Sequence, residues 1–275
     1  MRILVTNDDG IDSTGLHVLA RAIAHHGDVV IAAPDSEYSG ASAAFGALHL
    51  IQPEVHQVTV DGVAEAWSVS GPPALCVMFA RLGVFGEPFD LVVAGINPGA
   101  NVGRSVYHSG TIGAAVTARS GGISGIAISQ AVTGFGIEGQ GWDEMLAGQL
   151  WDTAAVFADH AVGALLASPP DDPVVVNVNV PNVPLHEVTG VRRTQIGTVP
   201  PRTMAAAVLE PKLGHDGAFY VKMTWGDTTE LPPDTDGGAV SRGEVSVTFL
   251  SRLHEEESSP ALPAVEAALL TALAS

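Results

Sequence analysis

A strand, a helix and a second strand packed into the first 33 residues constrain this chain more than anything else in it. Arg2–Thr6 is a short apolar, β-branched run, and residues 29–33 form another. Between them Leu16, Leu19, Ala20 and Ile23 fall at i, i+3, i+4 and i+7, one apolar face of a helix. Ser13 or Thr14 can cap its start and Gly27 can end it. Two strands joined through a helix lie parallel, with a right-handed crossover. The expected fold class is therefore α/β, with a Rossmann-like parallel-sheet core and helices on both faces. Ligands in such sheets bind beyond the carboxyl ends of the strands. That places Asn7-Asp8-Asp9-Gly10 and the loop 35–40 on the functional edge.

The same alternation continues to about residue 180. Residues 58–69 read as a hairpin turning at Asp61-Gly62, and Gly71-Pro72-Pro73 opens a short helix. Buried strands are expected at 90–96, 125–129 and 173–180, with helices at 111–120 and 144–168. In the last helix Leu146, Leu150, Ala154 and Phe157 share a face. A Gly-rich loop fills 131–142. Beyond residue 181 prolines and glycines are frequent and the apolar runs are short, at 218–225 and 244–250. Residues 1–180 thus read as the α/β core, and 181–275 as an extended C-terminal β-rich arm closed by a terminal helix at 262–273, either part of the same domain or exchanged in an oligomer. An arm with little core of its own tends to pack on another subunit, so a homo-oligomer is expected.

Charge narrows the partners. At a net −18 the chain gains nothing electrostatically from nucleic-acid duplexes or anionic membranes, so neither is expected as a partner. An anionic substrate would need a local positive feature. Cys76 is the only cysteine, which excludes an intrachain disulfide and thiolate-built zinc sites. With no secretory leader and no apolar run of ~20 residues, a cytoplasmic protein is expected.

Asp8 and Asp9 are adjacent carboxylates where a buried strand meets a loop. Their like charges repel in a partly desolvated place, and a hard cation would let both ionise. Asn, Asp and Gly also make an ordinary turn. Asn97 ends its strand with a neutral amide oxygen, and Ser36 and Ser39 offer hydroxyls from the second loop. Asp8, Asp9, Asn97 and a serine form an all-oxygen set suited to Mg²⁺, Mn²⁺ or Ca²⁺. Residues 96–115 leave a strand, pass Gly99, Gly103 and Gly110, and enter a helix at Thr111. Free backbone N–H groups at a helix start make an anion site, to which Ser109 and Thr111 add hydroxyls. Glycine can also serve such a loop for conformation alone. The ten histidines lack metal-ligand spacing. His25-His26 reads as a solvated helix end, and His108 is the one histidine placed near chemistry.

In this order the segments resemble the survival-protein E (SurE) family of divalent-metal-dependent nucleotidases. NDDGI at 7–11, AP at 33–34, SG at 39–40, GINPGANVG at 95–103 and SGTIGAA at 109–115 carry the resemblance, with VNVNVP at 176–181 and VSVTFL at 245–250 downstream. It implies one divalent metal ion per subunit held by Asp8, Asp9, Ser39 and Asn97. It implies phosphate binding around Ser109, Gly110 and Thr111, with Asn101. It also implies hydrolysis of nucleoside monophosphates, of the 5'-nucleotidase type with 3'-nucleotidase or exopolyphosphatase activity left open beside it, and a homodimer or homotetramer built by exchanging C-terminal elements. Asp8, Asp9 and Ser109 would serve catalysis, and His108 would donate a proton to the leaving group. Tyr38, Pro72, Leu75, His108, Thr117 and Phe249 depart from the family pattern without touching a proposed metal ligand. They leave open a metal- or nucleotide-binding module without catalysis. A covalent aspartyl-phosphate route needs two aspartates separated by one residue, whereas Asp8 and Asp9 are adjacent. A dinucleotide oxidoreductase would need GxGxxG after the first strand, which is missing.

Overall fold

The computed structural model describes residues 1–48, 50, 52–133, 146–200, 202–253 and 260–273. The chain runs β1 (Arg2–Thr6), α1 (Thr14–Ile23), a 3-10 turn (Ala24–His26), β2 (Asp28–Pro34), β3 (Val55–Val60), β4 (Val63–Val69), α2 (Pro73–Arg81) and β5 (Leu91–Pro98). It continues through a second 3-10 turn (Gly103–Tyr107), α3 (Gly110–Ser120), β6 (Ser124–Gln130), α4 (Trp151–Ala167), β7 (Val175–Val180) and β8 (Gly190–Arg193). Last come β9 (Arg202–Pro211), β10 (Phe219–Thr228), α5 (Asp236–Ser241), β11 (Glu244–Leu250) and α6 (Leu262–Leu273).

A nine-stranded, mostly parallel sheet in the order β3-β4-β2-β1-β5-β6-β7-β11-β8 forms the frame. The chain builds outward from β1 through β2 to β4, then returns to lay β5, β6 and β7 on the other side of β1. The gap between β1 and β5 is thus a topological switch point, where diverging connections leave a crevice at the carboxyl edge. β1 pairs with β5 through Ile3–Leu91 to Thr6–Ala94, so Asp8 and Asn97 leave neighbouring strands at that crevice.

Both faces are covered, as the α/β reading requires. One core gathers Ile3, Val5, Leu16, Leu19, Ile23 and Ile31 with Ala154, Ala158 and Val162 under α1 and α4. The other gathers Leu4, Val30, Val92, Cys76, Val77, Ala114 and Ala118 under α2 and α3. Alternate residues of β1 feed alternate faces, which is why its short run is apolar throughout. Burying each Leu or Ile side chain here contributes about 1.5–3 kcal/mol.

Three expectations are revised. The helix expected from 144 begins at Trp151, and 144–145 lie outside the described residues, as do 134–142 of the Gly-rich loop. Its start is displaced because Leu150 is claimed by side chains. Its N–H donates to Asn182 Oδ1 (2.9 Å) and its carbonyl accepts from Gln130 Nε2 (2.9 Å). The α1 helix ends by tightening into the Ala24–His26 turn, since Gly27 has an extended φ of 169°. Beyond residue 180, β11 pairs antiparallel with β7 and parallel with β8, so both strands belong to the main sheet. Among the described residues, only the β9–β10 ribbon forms a sheet of its own.

Candidate functional site

Asp8 and Asp9 follow β1 directly, and Gly10, with φ +100°, lets the chain turn away at once. Ile11 N–H donates to Pro34 O (2.8 Å), tying this turn to the end of β2. Asn7 is fully buried; its Nδ2 donates to Gly10 O (3.0 Å) and to Ser13 Oγ (2.6 Å), the hydroxyl that caps α1.

Asp8 is 3% exposed and faces the start of α3. Gly110 N–H donates to its Oδ2 (3.0 Å) and Thr111 Oγ1 donates to its Oδ1 (2.5 Å). A helix start attracts whichever anion comes nearest, because its N–H groups are free and its dipole is positive there. The approach requires glycine: a Cβ on Gly110 would sit 2.8 Å from Asp8 Oδ2. Burial pushes the Asp8 carboxyl above its ordinary range, while the Thr111 and Gly110 bonds pull the other way. The expectation that Gly110 and Thr111 hold a phosphate meets a different partner here, since both donors hold Asp8.

Asp9 has no such partner. Its Oδ2 is buried without a hydrogen bond. Burial first, then the charges of Asp8 and Glu37, push its pKa from 3.8 up to about 8. Glu37, a third acid near the site, went unnoticed in the sequence because it sits in an ordinary polar loop. A buried carboxylate oxygen without a partner fits a hard divalent cation, which would satisfy it and restore the charge on Asp9.

The other expected ligands are placed with varying directness. Asn97 is half-buried, and its Nδ2 donates to Gly99 O (2.6 Å), which leaves Oδ1 as the amide's acceptor. Ser39 is exposed and donates to Glu37 Oε1 (2.8 Å). Its loop is held at the site by Tyr38 N–H, which donates to Asp8 O (2.7 Å). Ser109 is the N-cap of α3: its Oγ accepts from Ile112 N–H (3.1 Å), so its own proton remains free to donate. His108 is exposed beside it. Cys76 is buried, and burial pushes its thiol up to about 12, so it supplies no thiolate.

Asn101 turns out to be a brace. Its N–H donates to Asn179 Oδ1 (2.7 Å), its Nδ2 to Ser129 Oγ (2.9 Å), and its carbonyl accepts from Asn177 Nδ2 (3.0 Å) and Asn179 Nδ2 (3.3 Å). Asn177 and Asn179 are fully buried on β7. Their NH₂ groups fix the loop after β5, although Asn177 Oδ1 is itself left buried without a partner. Asp236, also fully buried, finishes the job. It accepts from Gly103 N–H (2.8 Å), Gly197 N–H (2.9 Å) and Gly237 N–H (2.8 Å). Sequence reading missed all three. The trace of Asn177 and Asn179 was polar residues inside an otherwise apolar strand, whereas Asp236 sits in an ordinary polar turn and left none.

The family model described as "Survival protein SurE" matches residues 3–202. A 5'-nucleotidase SurE from Legionella pneumophila is 36% identical over 250 residues, covering 91% of this chain and 90% of the relative. One from Pseudomonas paraeruginosa is 38% identical over 258 residues, covering 91% and 92%. The crystal structure of a SurE protein from Aquifex aeolicus superposes with a TM-score of 0.76 at 27% identity, over 97% of this chain and all of that one.

Proposed function

The chain belongs to the SurE family, and we propose that it is a metal-dependent 5'-nucleotidase that hydrolyses nucleoside monophosphates to nucleoside and phosphate. The observation that carries this reading is the unequal treatment of the two carboxylates at the switch point. Asp8 is held by a helix start, whereas Asp9 keeps a buried oxygen without a partner.

Asp8, Asp9, Ser39 and Asn97 would hold one divalent ion per subunit, with Mg²⁺, Mn²⁺ or Ca²⁺ favoured by the all-oxygen set. Such an ion, when bound, offsets charge on the phosphoryl oxygens and lowers the pKa of water. Both Asp8 oxygens are engaged by α3, so Asp8 works as a fixed anchor. Asp9 Oδ2 is the free acceptor and can take the proton of the attacking water. Ser109 has its hydroxyl proton to spare and donates to a phosphoryl oxygen, with the start of α3 adding positive potential. The Gly110 and Thr111 donors reach the phosphate directly only if Asp8 gives them up. Asn101 acts by placing this loop. His108, exposed beside Ser109, is the proposed proton donor to the leaving alkoxide.

An oligomer formed by exchanging C-terminal elements is part of the proposal. Leu262, Val265, Leu269 and Leu270 of α6 are all exposed, as are Val208, Leu209, Phe219, Tyr220 and Val221 of the ribbon. Apolar faces of that extent favour a second copy of the chain. Among the described residues, no helix is long and apolar enough to cross a membrane. A cytoplasmic location completes the reading, in keeping with a lone buried thiol.

Phosphate release from a panel of nucleoside monophosphates, with Mg²⁺, Mn²⁺ or a chelator, tests the function. Release should need the ion and fall more than about 100-fold in Asp8→Asn, beyond the usual loss for a residue that merely supports a ligand. Tight nucleotide binding without turnover would overturn the proposal. An unchanged turnover rate in His108→Ala would remove that residue as the acid.

A further inference from the structure

The edge of the sheet opposite Asp8 carries a second cluster with metal-binding chemistry. α1 runs back from the catalytic edge, so its terminal turn, Ala24–His26, lies by the amino ends of β1 and β2; Asp28 N–H there donates to Met1 O (2.9 Å). His25 is exposed at the solvated helix end expected from the sequence, whereas His26 turns inward. His26 Nε2 lies 2.6 Å from Asp159 Oδ1 and 3.2 Å from the Asp159 carbonyl oxygen, on α4. His25 Nε2 lies 3.2 Å from the same Oδ1, and the two ring centroids are 4.0 Å apart with the planes tilted by 38°. Among the described residues, this is the only set of three His, Cys, Asp or Glu donors lying within 4.8 Å of one another.

We propose that His25, His26 and Asp159 form a zinc-type site that clasps α1 to α4, separate from the oxygen-lined site at Asp8 and Asp9. Two imidazole nitrogens and one carboxylate oxygen suit Zn²⁺ or Co²⁺, and do not suit Mg²⁺. Ligands bonded to zinc at about 2.0–2.1 Å in a tetrahedron stand about 3.3 Å from one another. The His25–Asp159 separation already matches, and the His26–Asp159 one must open slightly as a shared proton is replaced by the ion. His25 is 63% exposed at its side chain, which leaves the fourth position to water.

The helix opposite is cut to receive this arrangement. Gly163 lies one turn after Asp159, and a Cβ there would sit 2.8 Å from His26 Cε1. Glycine inside a helix costs about 1 kcal/mol relative to alanine, so the smooth-surfaced seat for the ring comes at the expense of helix stability.

Zn²⁺ affinity of the full chain, measured by chelator competition in excess Mg²⁺ to fill the oxygen site, tests the proposal. One Zn²⁺ should bind per chain, raise the melting temperature, and be replaceable by Co²⁺ with the intense visible bands of a tetrahedral complex. Kd should rise more than roughly 10-fold in His25→Ala and in Asp159→Asn, and stay unchanged in Asp152→Asn, an exposed carboxylate of the same helix. His25 is exposed enough for its variant to fold. Failure of the wild-type chain to take up Zn²⁺ under these conditions would overturn the proposal, and so would unaltered affinity in His25→Ala. Neither outcome depends on whether the chain hydrolyses nucleotides.

Discussion

Replacing Asp236 by asparagine should loosen the loop that carries Ser109 while leaving every proposed ligand in place. The carboxylate accepts three backbone N–H groups, Gly197 and Gly237 on Oδ1 and Gly103 on Oδ2. An asparagine amide has one acceptor oxygen. Its better orientation keeps Gly197 and Gly237, and turns the NH₂ group against Gly103 N–H. One charge-assisted bond is then lost, worth about 1.5–3 kcal/mol, and the other two weaken by about 0.5–1 kcal/mol each as the charge disappears. The expected cost is about 3–5 kcal/mol, or roughly 10 °C in melting temperature for a chain of this size. The loss falls on Gly103, the first residue of the turn leading to Ser109, so kcat/KM should drop even at temperatures where the variant is folded. Thermal unfolding by circular dichroism, with phosphate release at 25 °C, measures both. Asp234→Asn is the control: that carboxylate is exposed, and its change should stay within about 0.5 kcal/mol. A melting temperature for Asp236→Asn equal to that of the control would refute the assignment.

Two more outcomes follow from the same geometry. Gly110→Ala places a methyl group 2.8 Å from Asp8 Oδ2, so metal affinity and kcat/KM should fall together, for about 1–3 kcal/mol of lost stability; titration with Mn²⁺ and a melting curve check both. In chelator, Asp9 holds a proton in the folded state up to about pH 8 that the unfolded chain releases near 3.8, so its contribution is fully present below 3.8 and is lost as pH rises towards 8. Urea midpoints measured against pH should show that decline, and Asp9→Asn should be flatter over the same range. Divalent-metal affinity of the wild-type chain should rise with pH up to about 8.

The alternation of strands and helices was legible because each element carries its own periodicity, and the hairpin turn at Asp61-Gly62 carries its own chemistry. The site loops were legible for a related reason: a parallel sheet sends every strand's carboxyl end to one edge, so Asp8, Asn97 and Ser109 had to meet there. Partner choice was not legible. Whether the start of α3 holds a substrate's phosphate or the carboxylate of Asp8 depends on an approach of a few ångströms, which no periodicity records. The same holds for the start of α4, decided by Gln130 at the end of β6 and Asn182 in the loop after β7, and for His26, whose partner lies 133 residues away. The return of β11 into the main sheet escaped notice because its composition resembles that of the ribbon preceding it.

That ribbon leaves and re-enters the core at one point. Gln195 and Thr235 form a bridge, Gln195 N–H donates to Asp234 O (3.2 Å), and Asp236 N–H donates to Gln195 O (2.9 Å). The intervening segment, which includes β9 and β10, is therefore a closed insertion whose base is sealed by backbone bonds. A short turn could replace β9 and β10 without reordering the nine strands, provided that Gly197 keeps its bond to Asp236. The protein thus has a natural grafting position: the ribbon can be lengthened, exchanged or shortened there while the crevice between β1 and β5 keeps its shape.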